Sequence, residues 1–287
     1  MIAVSRKHLP VGPWLLTLLV LAVGAYQLTG DCTIRRGPWA TPPKPLDNPF
    51  RVATWNLELH AGDGVVAGSV PPNEAVRILS GLELEAIALQ NVPEAGYADQ
   101  MARGLGPTWR AVTVRWNADG PSALALLIVS SVTLLERSLI DTGTPDEALS
   151  ISILGPNDRH IRLACVRAPE SDAQRRRTYV QGLLAWSRKD TSAVTILAGP
   201  LHWPSGRESL DLDRASPEAD TGLRERFAQV FLEVDPVVAR HGEDAGPGAG
   251  GLYVTRPGAQ ILDSVVVDGT TLGPFRHKPL LVQIEVD

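Results

Sequence analysis

From Ser122 to Val132 the chain runs without a charged side chain, through a stretch made mostly of Ala, Leu, Ile and Val. A strand with one wet face alternates polar and apolar residues, so an unbroken apolar run reads as the core strand of a layered sandwich. Ile151 to Ile153 and Ile161 to Val166 read as its neighbours, and Arg51 to Leu57, Ala86 to Leu89 and Val194 to Ala198 as further buried strands. Helical spacing connects them: Ala75, Ile78, Leu79 and Leu82 mark a helix over Asn73 to Leu84, and others are expected over Ala173 to Ser187 and Leu223 to Val234. A glycine-rich loop, Gly242 to Gly251, precedes three terminal strands at Leu252 to Thr255, Ile261 to Val267 and Leu280 to Val286. Strands and helices in this order predict an α/β (α+β) domain of two packed mixed sheets flanked by helices.

The N-terminus follows a different pattern. Arg6, Lys7 and His8 precede an uncharged stretch from Leu9 to Gly30 with an apolar centre from Trp14 to Ala25. A basic segment followed by an apolar one is the pattern of a signal peptide or membrane anchor, and this stretch is close to the roughly 20 residues that span a bilayer. Val23-Gly24-Ala25 offers small residues for cleavage, so both fates stay open. Leu28-Thr29-Gly30-Asp31-Cys32 resembles a lipid-attachment box interrupted by Asp31. Pro38, Pro42, Pro43, Pro45 and Pro49 then mark an extended spacer. The expected organisation is therefore residues 1–30 as signal or anchor, 31–49 as linker and 50–287 as one domain, with an extracytoplasmic location and a membrane as partner.

A formal net charge of −5 gives no electrostatic footprint for general nucleic-acid binding. The two cysteines, Cys32 and Cys165, supply neither a disulfide framework nor a Cys-based zinc site.

Four segments carry chemical information: Arg51-Val-Ala-Thr-Trp-Asn-Leu57, Ala88-Leu-Gln-Asn-Val92, Ile196-Leu-Ala-Gly-Pro-Leu-His202, and Leu262-Asp-Ser-Val-Val-Val267 with His277-Lys-Pro279 behind it. In order and spacing they resemble the endonuclease/exonuclease/phosphatase superfamily, over essentially all of residues 50–287. The resemblance implies a four-layered αββα sandwich and Mg2+-dependent hydrolysis of phosphoesters. Such chemistry needs an acidic metal ligand, a group that orients water, and donors for the charge developing on phosphate.

Position by position, the resemblance implies that Asn56 is retained beside the metal, and that Asn91 stands where the principal metal carboxylate belongs. Pro200 replaces the aspartate that orients water; it has neither a side-chain acceptor nor a backbone donor. His202 replaces an asparagine that contacts phosphate, and reads either as a hydrogen-bond donor or base or as a solvated loop histidine. His277 is retained, Asp263 matches the aspartate of the preceding strand, and an Asp-His pair would fix the imidazole's tautomer or simply tie neighbouring strands. Arg276 stands where an acidic partner of the histidine belongs, and Arg167 where a further histidine does.

These replacements make the expected pocket more positive by about four units of charge, at about 4 kcal/mol per unit across ~4 Å at an effective dielectric of ~20. A site of that kind repels Mg2+ and attracts anions. The sequence therefore predicts a pseudoenzyme without cofactor, in which Asn56, Asp263 and His277 persist, His202 stands as a substituted site residue, and Asn91, Arg167 and Arg276 contact a phosphate-like ligand, unless the domain binds a partner instead. The alternative is a divergent, active Mg2+-dependent phosphoesterase that recruits His202, Glu94 or Asp268. Arg175, Arg176 and Arg177 read as a solvated basic face or as a phosphate or lipid-headgroup patch.

Overall fold

The computed structural model describes residues 33–36, 49–60, 66–115, 123–155, 158–169, 172–190, 193–201, 251–254, 259–268 and 279–286. The strand expected around the apolar run is β7 (Ala123–Val129), and both of its faces are covered. Leu124, Leu126 and Ile128 point toward a second sheet, while Ala123, Ala125 and Leu127 point toward helices.

In the first sheet β7 is flanked by β5 (Ala86–Val92) and β6 (Trp109–Arg115). Beyond β5 come β2 (Phe50–Asn56), β14 (Leu280–Val286), β13 (Ala259–Asp268) and β1 (Thr33–Arg36). Its parallel pair is β2 with β5; the other pairings are antiparallel. The second sheet has the order β12 (Leu252–Val254), β11 (Val194–Ala198), β10 (His160–Cys165), β9 (Ala148–Leu154), β8 (Thr133–Ile140), and its parallel pair is β10 with β11. A short hairpin, β3 (Glu58–His60) with β4 (Val66–Ser69), follows β2.

Each parallel pair is joined by a helix, because a parallel return needs a crossover long enough to span the sheet. The helix α1 (Pro72–Leu79) lies between β2 and β5, and α3 (Ala173–Arg188) between β10 and β11, while α2 (Ala95–Leu105) packs beside α1. Ala53, Trp55, Ile87 and Leu89 meet Ala75, Ile78, Ala98 and Met101 on the outer side of the first sheet. Ala164, Val166 and Leu197 meet Tyr179, Val180 and Leu183 on the outer side of the second. Val52, Ala88 and Leu126 meet Ile151, Leu163 and Ile196 between the sheets. Burying apolar area on both faces of each sheet is the main stabilising term of this layered arrangement.

Several expectations change in detail. The first helix ends at Leu79, short of Leu84, because Gly81 turns the backbone to φ 78° and Glu83 to φ 51°. Thr33–Arg36, assigned from the sequence to the linker, adds an edge strand to β13 with Thr33 opposite Asp268. α2, β6 and β8 have no counterpart in the sequence reading; β8 is an edge strand whose mixed, largely exposed residues carry little alternation. The helix expected over Leu223 to Val234, the N-terminal segment 1–30 and linker residues 31–32 and 37–48 lie outside the described residues. Among the described residues, no helix is long and apolar enough to cross a membrane.

Candidate functional site

The second and third motifs sit on different sheets and converge because both parallel pairs end on the same edge. In β2 and β5, even-numbered residues from Val52 to Gln90 point between the sheets, so Thr54 and Gln90 face the second sheet from the ends of their strands. Gln90 Nε2 lies 3.2 Å from the carbonyl oxygen of Ala198 on β11 and 3.3 Å from Cys165 Sγ on β10. Cys165 is a free thiol whose Sγ donates to the Leu89 carbonyl, and burial pushes its pKa up to about 12, which leaves it unreactive as a nucleophile.

Gly199 has φ 138°, and a Cβ there would fall 1.9 Å from the Val166 carbonyl oxygen. Only glycine permits that approach. It sets the next contacts, in which Val166 N donates to Ala198 O at 3.0 Å and Ala168 N to Pro200 O at 2.9 Å. Pro200 therefore holds the strand ends together through its carbonyl.

Asn56 and Asn91 meet at this edge. A regular β5 would turn Asn91 toward the helices, as it turns Leu89, but Asn91 has φ 55° and the β5–β7 register shifts between Leu89 and Val92. Asparagine tolerates this left-handed backbone better than most residues. Asn91 Nδ2 donates to Asn56 Oδ1 at 2.6 Å, and the Glu58 backbone N–H donates to the same oxygen at 3.2 Å. Because a backbone N–H can only donate, it fixes which atom of the Asn56 amide is oxygen, and that in turn fixes Asn91. Both side chains are buried, and Asn56 Nδ2 and Asn91 Oδ1 have no hydrogen-bond partner among the described residues.

Glu58 is a site residue that the sequence reading missed. It lies two residues beyond Asn56, the period of side chains sharing one face of an extended chain, and that spacing could have marked it. Its Oε1 accepts from the Arg167 guanidinium at 3.1 Å, with side-chain exposures of 14% and 11%. The Arg167 backbone N–H donates to Tyr179 Oη at 3.2 Å, and burial raises the pKa of that phenol. Arg167 was expected to attract anions, but its charge is balanced by Glu58.

Mg2+ prefers several oxygen ligands, at least one of them a carboxylate, in octahedral array. Here Asn56 Oδ1 already accepts two N–H groups, and Glu58 Oε1 is bonded to a guanidinium. No group of three or more His, Cys, Asp and Glu side chains able to hold a metal occurs among the described residues. Among the described residues, the donors at this edge do not by themselves fit the metal. His202, Arg276 and His277 lie outside the described residues, as does the side chain of Asp263, whose backbone pairs with Gln283. Glu94 is exposed at the N-cap of α2.

The arginine run on α3 is neither a solvated face nor a shared patch. Arg175 grips the buried Asp146 through Nε and through Nη2 at 2.6 Å, Arg176 is buried with Nη1 3.1 Å from the Pro169 carbonyl, and Arg177 bonds Gln174 at 2.7 Å. A separate trio, with Ser152 Oγ against His160 Nε2 and His160 Nδ1 3.5 Å from Asp190, ties β9 and β10 to the end of α3. Ser152 sits within β9 rather than on the sharp strand-to-helix turn that exposes a nucleophile.

No family model and no curated protein matches the sequence. Solved structures do resemble it. The endonuclease/exonuclease/phosphatase from Bacteroides vulgatus aligns at TM-score 0.60 and 12% identity, over 84% of this chain and 100% of that one. The mannosyl-6-phosphatase Bt3783 of Bacteroides thetaiotaomicron aligns at 0.58 and 11%, over 82% and 99%. TDP2 of D. rerio, complexed with a single-strand DNA product, aligns at 0.57 and 12%, over 84% and 100%. Two packed mixed sheets, their helical layers and these alignments agree: the chain has the endonuclease/exonuclease/phosphatase fold.

Proposed function

We propose that this chain uses the phosphoesterase fold for binding and not for metal-dependent hydrolysis. It is a pseudoenzyme, carried out of the cytoplasm and held at a membrane or released by its N-terminal apolar segment. The observation that carries the reading is the 2.6 Å bond between Asn91 Nδ2 and Asn56 Oδ1, at the position where the resemblance places a metal carboxylate. Two amides bonded to each other bring no negative charge, and the neighbouring carboxylate of Glu58 is neutralised by Arg167. The ligand class that suits the fold is a phosphate-bearing group, met by Arg276, His202 and His277 rather than by Arg167.

Calorimetric titration with Mg2+ and Mn2+, with turnover of bis(p-nitrophenyl) phosphate followed in parallel, tests this. Folded protein without tight metal binding or metal-dependent turnover is expected. Metal-dependent turnover that disappears in His277→Ala would replace this reading with that of a divergent, active phosphoesterase.

A further inference from the structure

Asn56 closes β2 and Asn91 lies next to the end of β5, so the two amides stand at the carboxyl ends of the parallel pair in the first sheet. In α/β sheets, ligands bind outside such ends. Asn91 reaches this place only through φ 55° and the shift in the β5–β7 register. Backbone distortions of this kind cluster at functional sites.

The distortion does not complete the hydrogen bonding of the pair. Asn56 Oδ1 accepts both the Glu58 backbone N–H and Asn91 Nδ2, which identifies the two remaining atoms as a donor, Asn56 Nδ2, and an acceptor, Asn91 Oδ1. Neither has a hydrogen-bond partner among the described residues, although Asn56 is 1% and Asn91 2% exposed. Buried polar groups are nearly always paired, so an unpaired donor and an unpaired acceptor on two bonded amides mark a binding position.

Their opposite polarity selects what binds. A phosphate oxygen would accept from Asn56 Nδ2 but repel Asn91 Oδ1, and a cation would do the reverse. A hydroxyl both donates and accepts, so it matches the two amides without bringing charge. We propose that Asn56 and Asn91 form a subsite for the hydroxyl groups of a phosphorylated polyol, whose phosphate is met by Arg276, His202 and His277. The inference rests on the phosphate-ligand reading above and deepens it, since the amides recognise the uncharged part of the ligand.

Calorimetric titration of the full chain with glycerol 3-phosphate and with n-propyl phosphate, both in the presence of a chelator, tests it. The two esters share charge and carbon frame and differ in the hydroxyls. The unaltered chain is expected to bind the glycerol ester at least about tenfold more tightly, equivalent to 1.4 kcal/mol. Asn91→Gly, which suits the positive φ and removes the acceptor, is expected to bind both esters alike, with thermal unfolding as the check that it folds. Equal binding of the two esters by the unaltered chain overturns the inference, as it would if the amides held only a trapped water, and leaves the phosphate-ligand reading standing. A preference that survives in Asn91→Gly also overturns it, because the hydroxyls are then read elsewhere. Binding of neither ester overturns both readings. If Asn91→Gly does not fold, the comparison of the two esters on the unaltered chain decides. Vesicles of phosphatidylglycerol in phosphatidylcholine that displace glycerol 3-phosphate identify a lipid headgroup as the source of the polyol; vesicles that do not displace it identify a free ester.

Discussion

Gly199→Ala separates a structural role from a catalytic one at the third motif. The substitution faces two costs. At φ 138° an L side chain is strained by about 1–3 kcal/mol. The new Cβ would also lie 1.9 Å from Val166 O and 3.0 Å from Gln90 Nε2, so the end of β10 has to move. Overpacking of this kind adds about 1–3 kcal/mol, and the shift strains the 3.0 Å bond from Val166 N to Ala198 O. The sum, about 2–6 kcal/mol, is a large share of the 5–15 kcal/mol that stabilises an ordinary domain. Gly106 provides the control: its φ is 134°, yet nothing lies within 4 Å of its missing Cβ. Gly106→Ala therefore bears the backbone strain without the clash. Urea unfolding, analysed at constant m value, should place Gly199→Ala below Gly106→Ala by about 1–3 kcal/mol. Equal midpoints for the two variants would refute the close approach at Gly199.

Two further outcomes follow from burial and charge. Asp146 is 1% exposed and Arg175 33%, so Arg175→Met, which strands the buried carboxylate, should cost about 3 kcal/mol. Asp146→Asn, which leaves a cation able to reach water, should cost about 1 kcal/mol, and the reverse order in chemical unfolding would contradict the pairing. For Glu85, burial raises the pKa above its ordinary 4.5, against the lowering effects of the Arg51 backbone hydrogen bond and charge. A raised folded value means that the native state holds the proton longer, so Glu85's contribution is full below 4.5 and declines as pH rises through the folded value. Glu85→Gln should thus gain stability relative to the unaltered chain between acidic and neutral pH, and parallel stability-versus-pH curves for the two would count against it.

The two packed sheets were legible because apolar runs encode burial locally. Ser122 to Val132 is continuous because β7 is covered on both faces, and Ala173 to Ser187 repeats with helical period because α3 presents one stripe to its sheet. β8 was not legible, since an edge strand such as Thr133-Leu-Leu-Glu-Arg-Ser-Leu-Ile140 has no single buried face to impose alternation. The arginine run on α3 misled for a related reason: consecutive helical residues point about 100° apart, so three adjacent arginines acquire three separate environments.

At the site, the resemblance to the superfamily's motifs marked Asn56, Asn91 and Arg167 as positions of interest, and they fall at the sheet edge because residues that end buried strands sit there. It could not show that Asn91 turns back through a left-handed backbone to bond Asn56, nor that Glu58 neutralises Arg167. The order of apolar and polar residues determined the layers by itself, since burial is a property each segment carries. Which polar groups meet depends on strand register, one positive φ and contacts between residues more than a hundred positions apart, such as Glu58 with Arg167. Those are properties of the assembled sheets, and the pairing of Glu58 with Arg167 was decided there.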